Sequence, residues 1–323
     1  MPQVSVAQLF EQNRDKLKLT WLAGRAGGNR VLDSQRITAS TQGLVGHLNF
    51  LHPNWIQVLS NTEIEFFNSL DEKMRVQACD KLLHDGLACL ISSGGESPPD
   101  NLAQFGETHA VALLGSPVAS LQVMWVLRYY LARALAASET LHGVFLDVLG
   151  MGVLLTGESG VGKSELALEL ISRGSGLVAD DVVELYQIAP EILEGRCPPL
   201  LKDFLEVRGL GMLNIRTIFG ETAVRIKKNL KLIIELKRPI SGIIPGLERL
   251  PINATTQEIL GTAVRKVVLP VAAGRNLAVL VEAAVRNYVL QLRGIDSTRE
   301  FMQRHDEELG NHANKDSGLG TQD

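Results

Sequence analysis

Cysteine, net charge and long apolar runs are all scarce in this chain of 323 residues, and each shortage excludes something. Its three cysteines, Cys79, Cys89 and Cys197, form no C-x-x-C pair. That argues against a structural zinc site and for reduced thiols in a cytoplasmic protein. The net charge of −4 leaves no global basic field for nucleic acid. No apolar run approaches the ~18 residues of a membrane span. The N-terminal stretch MPQVSVAQLFEQNRDKL is mixed in charge and has no apolar signal core. No internal repeat is visible. What remains is an apolar content of 45%, enough for sizeable cores, on a length that favours two domains.

The most specific feature is the octapeptide Gly157-Glu158-Ser159-Gly160-Val161-Gly162-Lys163-Ser164, which fits G-x-x-x-x-G-K-[ST] at every fixed position. Residues 153–156 before it read as a buried strand. Residues 165–173 after it read as an amphipathic helix, stopped by Gly174. A strand, a glycine-rich turn and a helix N-terminus aim several backbone N–H groups at one spot, which suits a polyphosphate. In such a loop Lys163 reaches the β and γ phosphates, and the Ser164 hydroxyl ligates Mg²⁺.

The fold class is α/β. An N-terminal α/β domain of unclear chemistry is expected over residues 1–130, a phosphate-loop catalytic domain over 131–302, and a polar, disordered tail over 303–323. In the first domain, residues 4–17 read as a helix and 36–38, 88–91 and 110–114 as strands. Residues 120–137 read as a helix connecting the domains. In the second, residues 141–156 read as a hairpin turning at Gly150 and Gly152. Residues 177–179, 230–236 and 266–271 read as strands, and 277–293 as a long helix.

Asp180 and Asp181 follow the apolar strand 177–179. In an α/β sheet carboxylates there face the ligand, outside the carboxyl ends of the strands. Two adjacent acids give one metal-facing group and one base. Gly209 and Gly211 flank Leu210 and suit a close backbone approach. Glu206, Arg208, Arg249 and the pair Gly274-Arg275 are weak signals by spacing alone, as is His142. Asp33, His47 and His52 show no ligand spacing.

Together these segments become specific. HGVFLDVLGMGVLLTGESGVGKSELALELISRG, LVADD, LEVRGLGMLNIRTIFG and PVAAGRNLAVLVEAA resemble the HPr kinase/phosphorylase family over roughly residues 141–294. The resemblance implies a cytoplasmic, hexameric regulator of carbohydrate metabolism. It implies phosphorylation of a serine of the phosphocarrier protein HPr by ATP or pyrophosphate with Mg²⁺. It also implies attack of inorganic phosphate on phosphoserine-HPr, releasing pyrophosphate. Residue by residue, it makes Asp181 the base in one direction and the acid in the other. His142 becomes an active-site histidine, Lys163 the phosphate clamp, and Arg249 a catalytic arginine. Ser164 and Glu206 become the Mg²⁺ ligands. The diagnostic segment is Leu205-Glu206-Val207-Arg208-Gly209-Leu210-Gly211-Met212-Leu213-Asn214. Pro270-Val271-Ala272-Ala273-Gly274-Arg275 matches a loop tied chiefly to dephosphorylation. The sequence departs from the pattern at Ser175-Gly176, where the family shows His-Arg, and at Pro251, where it commonly shows glycine. Two rivals share the loop and the acids: a kinase or carboxykinase of a small metabolite, and a non-catalytic nucleotide sensor.

Overall fold

The computed structural model describes residues 2–84, 86–239, 255–272 and 274–317. The chain divides into two compact units, Met1–Ala137 and Ser138–Asp323.

The first unit begins with β1 (Gln3–Ser5), α1 (Val6–Leu17), β2 (Thr20–Ala23), β3 (Val31–Asp33) and α2 (Ser34–Thr38). It continues with β4 (Gly43–His47), β5 (Asn54–Leu59), α3 (Asn61–Ser69), α4 (Glu72–His84), β6 (Cys89–Ser92), α5 (Asp100–His109), β7 (Ala112–Gly115) and α6 (Ser120–Ala134). A five-stranded sheet runs β2-β7-β6-β5-β4, parallel except where β2 meets β7. Strand alternation sorts the core onto two faces. Ile56, Val58, Cys89, Ile91 and Leu114 pack with α1 and α6, while Leu59, Leu90 and Leu113 pack with residues of α3, α4 and α5.

Two expectations change here. Residues 36–38 are helical, because the Asp33 carboxylate accepts from the N–H groups of Gln35 and Arg36 and caps α2. The helix expected to connect the domains is α6, and it belongs to this unit's core through Val123, Met124, Leu127 and Leu131.

The second unit contains β8 (Ala137–His142), β9 (Val144–Val148), β10 (Met151–Gly157), α7 (Lys163–Ser172), β11 (Gly176–Ala179), β12 (Val182–Ala189), β13 (Ile192–Arg196), β14 (Phe204–Val207) and β15 (Gly211–Asn214). α8 (Ile215–Phe219), β16 (Lys227–Lys237), β17 (Thr256–Ile259), β18 (Thr262–Pro270), α9 (Leu277–Leu292) and α10 (Ser297–Ser317) complete it. A nine-stranded sheet runs β11-β9-β10-β16-β13-β12-β8, with β18 also on β16 and β17 on β18. Val144, Leu146, Val153, Leu155, Ile234 and Leu236 face α7 and α9. Phe145, Leu154 and Ile233 face the opposite core.

The hairpin between β9 and β10 turns on Leu149 (φ 51°) and Gly150 (φ 86°). Gly152, expected in the turn, lies inside β10, where a Cβ would come within 2.1 Å of the Asn229 carbonyl oxygen. Residues 303–317, expected to lack order, are helical as the continuation of α10.

β10 and β18 both run parallel to β16, and β9 runs antiparallel to both β10 and β11. Strands β10, β11, β16 and β18 therefore end at one edge of the sheet. In register, Gly157 lies beside Leu236 and Lys237 beside Pro270. This carboxyl edge is where α/β sheets bind ligands.

Candidate active site

The phosphate loop connects β10 to α7. Its glycines adopt conformations that L side chains resist: Gly157 has φ 137°, Gly160 φ 72° and Gly162 φ 104°. At Gly157 a Cβ would also approach the Leu236 carbonyl oxygen to 2.5 Å. Val161 is buried in the core and anchors the loop from beneath. Gly162 is the N-cap of α7 and offers no side-chain hydrogen bond. The first N–H groups of an α-helix have no intrahelical partner and carry the positive end of its dipole. Lys163 Nζ folds back onto the loop, donating to the carbonyl oxygens of Gly157 at 3.0 Å and Glu158 at 3.1 Å.

A cavity of about 250 Å³ opens above the loop. Its lining includes Gly143, Val144, Ser159, Gly160, Gly162, Lys163, Ser164, Glu165, Asp180, Asp181, Glu206 and Arg208. Gly143 fits because a Cβ there would come within 2.4 Å of the Leu155 carbonyl oxygen.

The two aspartates differ in kind. Asp180 is buried, and its Oδ2 accepts the Glu206 N–H at 2.8 Å. Burial pushes its carboxyl above the ordinary carboxylate range, against the pull of that N–H. Asp181 points outward, its side chain 74% exposed, with Oδ1 3.7 Å from His142 Nδ1. Its backbone sits at φ 64°, in a three-residue turn closed by the Val182 N–H on the Asp180 carbonyl at 2.8 Å. The Asp181 carbonyl accepts the Gly143 N–H at 3.1 Å and lies 3.2 Å from His142 Nδ1. The segment 142–143 thus holds the strained turn in place.

Residues 205–214 form the antiparallel pair β14 and β15, with Glu206 opposite Met212. Leu205 and Val207 plug into the core, so alternation turns Glu206 and Arg208 to the cavity. Gly209 (φ 85°) and Gly211 (φ 81°) make the turn, closed by the Leu210 N–H on the Val207 carbonyl. Leu213 packs partly against the core, and Leu210 and Met212 stay exposed. The Asn214 side chain caps α8 through the Thr217 N–H.

The structure therefore brings His142, the loop, Asp180, Asp181, Glu206 and Arg208 together. Pro270, Val271, Ala272, Gly274 and Arg275 lie at the same sheet edge, where the Val271 N–H donates to the Lys237 carbonyl, but outside the cavity lining. Ala273 and Arg249 fall outside the described residues. Two contributors were missed in the sequence: Gly143, and Arg238, which donates from Nη2 to the Gly160 carbonyl. The available signal for Arg238 was a basic residue just beyond the apolar strand 230–236, at a carboxyl edge.

The donors fit Mg²⁺. Ser164, Asp180, Asp181 and Glu206 offer only oxygen to the cavity, as that hard cation prefers. Among the described residues no group of three or more His, Cys, Asp or Glu is gathered to hold an ion.

Comparison with known proteins completes the description. The family profile described as HPr Serine kinase N terminus matches residues 4–131, and that described as HPr Serine kinase C-terminal domain matches residues 133–305. The HPr kinase/phosphorylase of Nitrosomonas europaea is 60% identical over 314 residues, 97% of each chain. That of Chromobacterium violaceum is 59% identical over 307 residues, 94% of this chain and 96% of the relative. A solved structure of the Hpr(Ser) kinase/phosphatase from Coxiella burnetii is 40% identical, covering 50% of this chain and 98% of its own, at a TM-score of 0.45. With both profiles matched in order and relatives this similar along nearly their whole length, the chain belongs to the HPr kinase/phosphorylase family.

Proposed function

We propose that the protein transfers a phosphoryl group from ATP or pyrophosphate to a serine of HPr. In reverse, it uses inorganic phosphate to release that serine and form pyrophosphate. The observation that carries this reading is the opening of an uncapped phosphate loop and an exposed carboxylate, Asp181, onto one cavity.

The loop binds the donor's phosphates through the N–H groups that open α7, and Lys163 leaves its loop carbonyls to contact the outer phosphates. Asp181 accepts the proton of the serine hydroxyl as its oxygen bonds to phosphorus and the donor's bridging P–O bond breaks. ADP or inorganic phosphate leaves. In reverse, a phosphate oxygen attacks the phosphoserine phosphorus, and Asp181 returns a proton to the departing serine oxygen. His142, beside Asp181, orients that carboxylate. Ser164 and Glu206 hold Mg²⁺, which supplies neutralisation of the phosphate charge. Asp180 fixes the backbone of Glu206 and thereby its side chain.

Exposure favours a protein acceptor over a small metabolite. A metabolite kinase needs a narrow pocket, whereas here the Asp181 and His142 side chains are 74% and 81% exposed. Leu210 and Met212, exposed on the neighbouring hairpin, offer an apolar landing for a protein surface. Arg275 and its segment assist the reverse reaction, and the working assembly is a hexamer. Among the described residues no helix is long and apolar enough to cross a membrane.

The test is incubation of the purified protein with HPr, ATP and Mg²⁺, then removal of ATP and addition of phosphate. Phosphoserine-HPr forms first, and pyrophosphate appears in the second stage. Labelled phosphate passing to small acceptors but not to HPr would overturn the assignment.

A further inference from the structure

The phosphate loop is gripped by a residue outside its own motif. Arg238 is the first residue beyond β16, and its Nη2 donates to the carbonyl of Gly160 across 78 positions of sequence. Register explains the reach. β16 runs parallel to β10, with Leu236 beside Gly157, so the residues just past Leu236 lie level with the start of the loop. Alternation explains why Arg238 makes the contact and Lys237 does not. Ile234 and Leu236 pack on the face that carries α7, and Arg238 continues that face. Lys237 continues the opposite one, where it pairs with Glu235 at 3.4 Å.

The contact falls on one peptide plane of the loop. Across a trans peptide the C=O and the following N–H point in opposite directions. Holding the Gly160 carbonyl therefore also sets the direction of the Val161 N–H, which donates to the Glu158 carbonyl at 3.2 Å. The Val161 side chain is sunk in the core. The 160–161 peptide is thus held from the side by Arg238, from within the loop by Glu158, and from beneath by Val161. Gly160 sits at φ 72° and brings no side chain of its own to fix that geometry. Arg208 also comes close, its Nη1 3.6 Å from where a Gly160 Cβ would stand.

We infer that Arg238 is a positioning residue that fixes the Gly160–Val161 peptide, and with it the shape of the phosphate loop, and so acts on the affinity for the loop-bound phosphate compound in both reaction directions. The inference rests on the phosphate-loop reading above. Its force comes from a charge-assisted hydrogen bond, stronger than a neutral one and directional. It acts through the loop and not on the acceptor, so the KM for HPr stays unchanged.

The experiment compares Arg238→Ala, Arg238→Gln, Arg238→Lys and Lys163→Ala with the parent. Mg²⁺-pyrophosphate affinity is measured by calorimetry, kinetics in both directions, and thermal unfolding. Arg238→Ala weakens pyrophosphate binding and raises the donor KM roughly tenfold, the effect of one hydrogen bond to a charged group at an exposed site. The KM for HPr and the melting temperature do not move. Arg238→Lys, which keeps a charged donor, recovers part of the loss, and Arg238→Gln recovers less. Parent-like pyrophosphate affinity in Arg238→Ala and Arg238→Gln, with binding lost in Lys163→Ala, overturns the role of Arg238 alone. Parent-like affinity in Lys163→Ala overturns the phosphate-loop reading beneath it.

Discussion

Asp181 couples stability and chemistry with opposite signs, and a pair of substitutions separates the two. Its φ of 64° lies in the left-handed region, which costs an ordinary L-residue ~1–2 kcal/mol. Glycine adopts it freely but gives up ~0.4–1 kcal/mol through the entropy of its unfolded chain. Asp181→Gly and Asp181→Ala both delete the carboxylate, which stands 3.7 Å from the exposed His142 imidazole. Losing such a surface pair costs ~0–1 kcal/mol, equally in both variants. What differs is the backbone, so the glycine variant should be the more stable by about 0.5–1 kcal/mol. For a unit of this size that is a melting temperature ~1–4 °C higher. Both variants should lose serine phosphorylation by ~10²–10⁴-fold, the worth of a general base. Thermal unfolding and HPr phosphorylation, run on the same preparations, read both quantities. An alanine variant as stable as the glycine one refutes the strain argument, and a glycine variant with parent-like turnover refutes the base.

Lys163→Ala should abolish both reactions, because both seat phosphate in the same loop; a surviving forward rate in the HPr assay contradicts a shared site. Arg275→Ala should damage phosphorolysis more than phosphorylation, and equal losses in the two directional assays argue against a specialised role. Glu206→Gln should raise the Mg²⁺ concentration needed for half-maximal rate, read from a metal titration, and an unchanged midpoint removes it as a ligand. Asp180 has a raised folded-state pKa because of burial, so its contribution to stability is complete below the unfolded value near ~3.9 and is lost as pH climbs through the folded one. Asp180→Asn, which can still accept the Glu206 N–H, should therefore gain on the parent as pH rises above ~4 and then level off. Urea denaturation across that range checks it, and a pH-independent difference refutes it.

The parts of the site legible in the sequence are those encoded at short range. The loop from Gly157 to Ser164 is contiguous, and its strand and helix neighbours carry their own periodicity, so spacing alone located it. Asp180 and Asp181 were legible for the same reason, directly after an apolar strand. That one is buried and the other exposed was not legible, since it depends on a turn at φ 64° and on the Glu206 backbone 26 positions away. Arg238 depends on the register of β10 against β16, which no local pattern states. Residues 36–38 misled because Ile37 and Thr38 are β-branched and favour strands, while the deciding group, the Asp33 carboxylate, lies outside the triplet. The tail misled because its composition is polar, yet α10 extends through residue 317.

Arg173, at the C-cap of α7, meets Glu282 of α9 through two bonds of 2.9 Å, and Ala167, Leu170, Ala278 and Val281 share one core. One of these helices begins at the phosphate loop and the other just after Arg275. The ion pair and the shared core join the two helices, so the phosphate loop and the segment ending at Arg275 are tied through one packed unit.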